Sequence, residues 1–209
     1  MKPGLLLFCL ATVITAPAAE FSCTISSTKG EPVADTVVSL IPLDTPAPPV
    51  PATIQVDILQ EGQEFTTYVT VVQTGTKVVF PNRDTVQHHV YSLSKPKKFE
   101  LPLYNPGQAE SIVIEVPGLV TIGCNIHDWM ITHLVVVPTP WFAQSGPDGM
   151  VKLNAPAGRY RLEIWHPRAT ATAKEVTLAE NSAIKETVTL TLKPDRRVRR
   201  SLGAKSGGY

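Results

Sequence analysis

The sequence predicts an all-β protein made of two packed β units. Short runs rich in valine, threonine and isoleucine recur along the chain, and 19 prolines are spread over its 209 residues. β-branched residues are enriched in strands, and proline interrupts helices. No stretch sustains a helical period of apolar residues over three turns, so long helices are not expected.

Eleven runs have the composition and length of strands. They cover residues 33–41, 53–59, 66–73, 77–80, 111–116, 119–123, 131–137, 150–153, 159–165, 174–178 and 185–192. Turn-forming residues lie between them, for example Gly75, Pro117-Gly118 and the Gly-Pro-Asp-Gly segment at 146–149. Eleven short strands are too many for one small sandwich, which is why we expect two units.

Residues 1–19 have the pattern of a secretory signal peptide. Lys2 precedes an apolar run over residues 5–14, and small residues follow at 16–19. A membrane anchor needs about twenty apolar residues, and this run is roughly half as long. We therefore expect cleavage near Ala18 or Ala19 and a periplasmic or secreted mature chain without a membrane span.

The charge distribution is uneven although the net charge is small. The chain has 19 lysines and arginines against 18 aspartates and glutamates, so the loss of Lys2 would leave the mature chain neutral. Residues 193–209 contain six basic residues against Asp195 and lack apolar periodicity, which predicts a flexible basic tail. The remaining chain then has an acidic surplus of five, which argues against nucleic-acid binding.

Two proline-rich segments, 42–51 and 138–140, bracket a middle unit at residues 52–138. Outside them, the strand and turn pattern of residues 29–40 and 148–162 resembles a carboxypeptidase-regulatory-like (transthyretin-like) β-sandwich. This resemblance implies a discontinuous outer domain, formed by residues 20–47 and 139–192, into which the middle unit is inserted.

The middle unit contains a predicted metal-binding loop. Cys124, His127 and Met130 follow one another at C-x2-H-x2-M spacing between two strand-like runs. Two imidazoles and a thiolate in one plane, with a long axial thioether, form a blue copper site. The loop holds one histidine, so the second imidazole must come from elsewhere, and the His88-His89 pair is the expected donor. Neighbouring side chains of a strand point to opposite faces, so only one of the pair can face the metal.

Residues 80–90, followed by the C-x2-H-x2-M loop, resemble the cupredoxins, which are small blue copper proteins of the amicyanin and plastocyanin type. Residues 75–167 as a whole are similar to bacterial proteins called methylamine utilization proteins, a name that gives no ground for linking this chain to methylamine. The resemblance implies a cupredoxin-like Greek-key β-sandwich for residues 52–138.

The cupredoxin resemblance also implies a ligand set and a function. The ligands of a single Cu(I)/Cu(II) site would be His88, Cys124, His127 and Met130, and His89 would stand where cupredoxins usually have asparagine. The protein would be a one-electron carrier and not an enzyme, with His127 as the electron port. Its partner would be a redox protein such as a cytochrome c or a dehydrogenase.

Asp128 occupies a position where amicyanin-like loops have proline. Unlike proline, it has a backbone N–H, and we hypothesise that this group donates a hydrogen bond to the sulfur of Cys124. Such a bond would stabilise the reduced state and raise the reduction potential.

Several alternatives remain open on the sequence alone. Cys124 could form a disulfide with Cys23, since an exported chain meets an oxidising compartment. Cysteine and two histidines are also good zinc ligands. The protein could be a copper carrier or chaperone, or a ligand-binding β-sandwich with an accessory copper site. A multicopper enzyme is disfavoured because the chain has five histidines and no His-Cys-His sequence. His133 and His166 are not expected to be ligands.

Overall fold

The computed structural model describes residues 18–195, and every regular element in this range is a β-strand. The predicted all-β fold class is confirmed. Most of the predicted signal peptide, residues 1–17, and the predicted tail from residue 196 onward lie outside the described residues. Between residues 18 and 195 no helix is long and apolar enough to cross a bilayer.

The strands are named in chain order. They are β1 (Ala18–Ser27), β2 (Val37–Pro42), β3 (Gln55–Asp57), β4 (Gln60–Glu61), β5 (Glu64–Phe65), β6 (Val69–Gln73), β7 (Lys77–Pro81), β8 (His88–Ser92), β9 (Phe99–Tyr104), β10 (Ala109–Val113), β11 (Gly118–Cys124), β12 (Ile131–Val137), β13 (Phe142–Gln144), β14 (Met150–Pro156), β15 (Gly158–Trp165), β16 (Thr172–Leu178) and β17 (Ala183–Leu190).

Two sheets contain the strands from both ends of the described chain. One has the order β14-β1-β17 and the other β13-β2-β15-β16. Alternate residues of β1 point inward, so Phe21, Cys23 and Ile25 are buried. They share one hydrophobic core with residues of the second sheet such as Leu40 and Leu162.

Two other sheets and a hairpin are formed by the strands between residues 55 and 137. The larger sheet has the order β6-β12-β11-β8-β9, the smaller has the order β10-β7-β3, and β4 pairs with β5 alone. A second hydrophobic core includes Ile58, Phe80, Ile122 and Leu134. Residues of the first core lie outside the two proline-rich segments in the chain, and residues of the second core lie between them. The assignment of the outer sheets to a regulatory-like sandwich stays a prediction.

A third, smaller cluster joins the two sets of sheets. Val37 of β2 packs with Val69 of β6 and with Val135 and Val137 of β12. Trp165 at the end of β15 contacts the same cluster. Val135 and Val137 of β12 are therefore covered by the outer sheets and not by solvent.

Three of the longer strands were not predicted from the sequence. The alternation of Phe21, Cys23 and Ile25 is a strand signal in β1, but the overlapping signal-peptide pattern obscured its start. In β8 the inward residues are His88, Val90 and Ser92, and only one of these is apolar. β9 contains proline within a short run, which weakens its strand pattern.

Candidate metal centre

His88 and Cys124 meet because their strands are neighbours in the larger middle sheet. β8 begins at His88, β11 ends at Cys124, and the two strands are antiparallel with Cys124 paired to Val90. The start of one strand therefore lies beside the end of the other. The fold brings two residues together that are far apart in the sequence.

His127 lies in the short connection between β11 and β12, and backbone hydrogen bonds close this loop. The N–H of Cys124 donates to the carbonyl of Met130 at 3.3 Å, and the N–H of Met130 donates to the carbonyl of His127 at 2.9 Å. The loop consequently folds back on itself and presents His127 on the same side as Cys124.

The three side chains surround one point. The Nδ1 atom of His88 lies 3.7 Å from the Sγ atom of Cys124, and the Nδ1 atom of His127 lies 3.5 Å from the same sulfur. One ligand atom from each residue lies within 4.8 Å of the other two. The two imidazole rings are 5.0 Å apart and tilted by 56°.

This donor set fits a single metal ion. Bonds of about 2.3 Å to sulfur and about 2.0 Å to nitrogen, separated by roughly 120°, give a sulfur-to-nitrogen distance of about 3.7 Å. The observed separations are 3.7 and 3.5 Å. A thiolate with two imidazoles suits copper or zinc and does not suit magnesium or calcium, which prefer oxygen ligands.

The structure distinguishes the two adjacent histidines. His88 is fully buried and faces Cys124. His89 points away, and its Nε2 atom lies 2.8 Å from a carboxylate oxygen of Glu100. His89 contributes to the loop through its backbone, since its carbonyl accepts a hydrogen bond from the N–H of Asn125 at 2.9 Å.

Asp84 fixes the orientation of His88. Its Oδ2 atom lies 2.8 Å from the Nε2 atom of the imidazole. Because Nε2–H donates to this carboxylate, the lone pair of Nδ1 is left facing Cys124, and a metal-binding histidine commonly has such a partner. Asp84 was not predicted from the sequence, where its spacing of four residues from His88 is the only signal.

Hydrogen bonds favour the thiolate of Cys124. Burial by itself raises the pKa of Cys124, but hydrogen bonds with His88 and with the backbone groups of His89 and Ile126 outweigh it and lower the pKa. The backbone groups that lower this pKa belong to His89 and Ile126. The hypothesis that the N–H of Asp128 donates to the sulfur stays a prediction.

The same contacts favour the charged form of His88. Burial lowers its pKa, but the hydrogen bonds to Cys124 and Asp84 outweigh burial and raise the pKa. The hydrogen bond between His88 and Cys124 thus moves their two pKa values in opposite directions.

Met130 is 1% exposed and belongs to the same hydrophobic core as Cys124. Its backbone closes the loop that carries His127. Its role as the axial ligand stays a prediction.

The alternative disulfide between Cys23 and Cys124 is not formed. Both cysteines are free, and they belong to different hydrophobic cores. Burial, with a further contribution from Glu186, raises the pKa of Cys23 to about 11. Cys23 is therefore a neutral thiol of the outer core.

Among the described residues, His133 and His166 lie outside the cluster. The ring of His133 lies 5.3 Å from Tyr68 and 5.9 Å from Trp165. The Nδ1 atom of His166 accepts a hydrogen bond from the N–H of Arg168 at 3.1 Å. Both histidines are used in packing and turn formation.

No family model and no curated protein matches the chain. Solved structures similar to part of it include three copper proteins. The copper-containing nitrite reductase from Thermus scotoductus is 23% identical over 46% of this chain and 25% of its own, with a TM-score of 0.39. A purple cupredoxin from Nitrosopumilus maritimus is 23% identical over 40% of this chain and 99% of its own, with a TM-score of 0.35. Amicyanin from Paracoccus versutus is 19% identical over 48% of this chain and 97% of its own, with a TM-score of 0.37.

Proposed function

We propose that this protein is a cupredoxin-like electron carrier with one copper ion, held by His88, Cys124, His127 and Met130. The observation that carries the proposal is the pair of Nδ1 atoms that face one buried cysteine sulfur at 3.7 and 3.5 Å. The resemblance of residues 80–90 and of the loop from Cys124 to Met130 to the cupredoxins supports the choice of copper over other thiophilic metals.

Copper bound at this centre would supply the Cu(I)/Cu(II) couple, which takes one electron from a reduced partner and passes one electron to an oxidised partner. The residues of the chain hold the centre rigid. His88 and Cys124 lie on hydrogen-bonded neighbouring strands, and Asp84 fixes the imidazole of His88. Little rearrangement is then needed when the charge of the centre changes.

The partner docks at the loop around His127 in this proposal. His127 is only partly buried, whereas His88 and Cys124 are buried. Ile126 beside it is 46% exposed and offers an apolar contact. An apolar surface around an exposed ligand edge suits a transient complex with a redox protein such as a cytochrome c or a dehydrogenase.

Export to the periplasm or the exterior is part of the proposal and rests on the signal-peptide pattern of residues 1–19. Ala19 is fully buried in the outer core as part of β1. Cleavage before Ala18 would leave β1 whole, whereas cleavage after Ala19 would shorten it by two residues. Mass spectrometry of the protein purified from its producing cell locates the mature N-terminus.

The decisive experiment is a visible absorption spectrum of the copper-loaded protein, oxidised with ferricyanide and then reduced with ascorbate. An intense band that bleaches on reduction is expected, because a thiolate bound to Cu(II) absorbs visible light strongly. Cys124→Ser removes the band, and the matched variant Cys23→Ser keeps it.

Two outcomes would overturn the electron-carrier proposal. A colourless protein that retains one zinc or one copper ion by elemental analysis would favour a zinc site or a copper carrier. A protein that binds no metal would favour a ligand-binding sandwich.

A further inference from the structure

The β4–β5 hairpin has a tight two-residue turn. Gly62 and Gln63 connect Gln60–Glu61 to Glu64–Phe65, and both have positive φ angles, 67° and 57°. Two positive φ angles are typical of a type I′ turn, which is the turn that matches the twist of a short hairpin. Gln63 is thus held in a backbone conformation that non-glycine residues rarely adopt.

One side of this turn contacts the segment that carries His88. The N–H of Gln63 donates to Oδ2 of Asp84 at 3.0 Å, and this is the oxygen that lies 2.8 Å from Nε2 of His88. The hairpin is attached to the same segment a second time, because the N–H of Arg83 donates to the carbonyl of Gln60 at 2.9 Å.

The other side of the turn contacts the loop that carries His127. The indole N–H of Trp129 donates to the carbonyl of Gln63 at 2.8 Å. Trp129 lies in the chain between His127 and Met130, and its ring is 5.4 Å from the imidazole of His127. The N–H of Gln63 therefore contacts the His88 side of the metal centre, and the carbonyl of Gln63 contacts the His127 side.

We propose that the β4–β5 turn is a positioning clamp for the metal centre, in which Gln63 couples the Asp84–His88 pair to the Trp129–His127 loop. The inference rests on the proposed copper function and extends it to residues that do not touch the metal. The clamp sets the distance between the two imidazoles before the metal binds. It also gives Asp84 a second donor, so that its carboxylate cannot turn away from His88.

The clamp acts through backbone groups, and this determines which variants test it. Gln63→Pro removes the N–H donor and requires a φ near −65°, so it breaks the turn. Gln63→Gly keeps both peptide groups and accepts the positive φ, so it is the conservative variant that should rescue the site. Gly30→Pro is the matched control, since Gly30 has a φ of 82° in a turn of the outer sheets.

The first measurement is Cu(I) affinity by competition with a coloured chelator, together with the reduction potential and the visible spectrum. Loss of a partner that orients a metal ligand typically lowers affinity about 10–100-fold. We expect this loss and a shifted spectrum for Gln63→Pro, near wild-type values for Gln63→Gly, and lower stability with unchanged affinity for Gly30→Pro. A folded Gln63→Pro protein with wild-type affinity and spectrum would overturn the clamp.

A double-mutant cycle decides the matter if Gln63→Pro does not fold. Asp84→Ala removes the acceptor of the Gln63 N–H, and Trp129→Phe removes the indole donor to the Gln63 carbonyl. If the clamp couples them, their combined loss of affinity is smaller than the product of the single losses, because the second variant acts on an already released turn. Strictly multiplicative losses would show that the two contacts are independent and would contradict the inference.

Amide hydrogen exchange of the metal-free protein tests the clamp independently of copper binding. The exchange rate of the Gln63 N–H should rise roughly fivefold or more in Trp129→Phe, because the turn loses a hydrogen bond. If the wild-type protein binds no copper, the proposed function fails, and the exchange rate still tests the clamp. An unchanged rate would reject the clamp whatever the metal content.

Discussion

The Nδ1 atom of His88 lies 3.7 Å from the Sγ atom of Cys124, although 36 residues separate them in the chain. Only the antiparallel pairing of β8 with β11 brings them together. The neighbouring His89 is held away from the sulfur by Glu100. The two histidines, adjacent in sequence, therefore provide a matched pair for testing the ligand set.

His88→Gly is expected to abolish the blue band, and His89→Ala is expected to keep it. The glycine variant removes one imidazole of the cluster, whereas the alanine variant removes only a side-chain contact with the exposed Glu100, which contributes about 1 kcal/mol or less to stability. Added imidazole should restore colour to His88→Gly by entering the vacated position. The visible spectrum with and without imidazole measures both effects, and loss of colour in His89→Ala alone would reverse the assignment.

Local spacing was sufficient to predict three of the four proposed ligands. Cys124, His127 and Met130 lie within seven residues, so a loop motif is readable without knowledge of the fold. His88 needed two further steps. The alternation of side chains along a strand lets only one of the two adjacent histidines face the metal, and the cupredoxin resemblance selects the first of them. The structure brings the two histidines and the cysteine together, while the metal and the contribution of Met130 stay predictions.

The supporting contacts could not be read from the sequence. Gln63 acts through its peptide N–H and carbonyl, which every residue except proline possesses, so its identity carries no signal. Asp84 is one of many loop carboxylates until the fold places it beside His88. The Asp128 hypothesis stays a prediction for a related reason, since which N–H faces the sulfur depends on the path of the backbone and not on the residue type.

Met130→Leu is expected to keep the fold and the blue band but to raise the reduction potential. Leucine has nearly the volume of methionine, so the buried position remains filled at a cost below about 1.5 kcal/mol. Loss of a weak axial donor makes the oxidised state less stable, which raises the reduction potential. The axial ligand tunes the potential of blue copper sites. Voltammetry of the variant measures the shift. An unchanged potential would mean that Met130 serves only the hydrophobic core.

Gly149→Ala is expected to destabilise the outer sheets far more than Gly30→Ala. A Cβ atom at Gly149 would lie 2.4 Å from the carbonyl oxygen of Ile25, whereas a Cβ atom at Gly30 would meet no atom within 4 Å. Both glycines have positive φ angles, 68° and 82°. The strain of an alanine in that conformation costs about 1 kcal/mol at either position, and the clash should add about 2 kcal/mol at Gly149.

Urea unfolding of the two glycine variants checks this difference, and the blue band offers a second probe of the middle sheets alone. If the outer and middle cores unfold independently, the band should survive the first transition of Gly149→Ala. Loss of the band together with the outer sheets would mean that the Val37–Val135 contact makes the two cores one cooperative unit. Equal stability of the two variants would contradict the clash.

The buried thiol of Cys23 predicts a loss of stability at alkaline pH. Its pKa is raised from an ordinary value of 9.0 to about 11 in the folded protein, mainly by burial. Above pH 9 the unfolded chain therefore releases this proton more readily than the folded protein does. The stabilising effect of the neutral thiol is fully present below pH 9 and is lost as the pH rises to about 11.

The expected loss is about 3 kcal/mol, since a tenfold change in an acid dissociation constant corresponds to about 1.4 kcal/mol. Cys23→Ala lacks the titrating group, so its free energy of unfolding should fall less between pH 9 and pH 11. Tyr104, whose pKa burial raises to about 12, titrates in both proteins, and its effect cancels in the comparison. Urea denaturation at several pH values measures the two curves. Parallel curves over this range would show that Cys23 ionises as readily in the fold as in the unfolded chain.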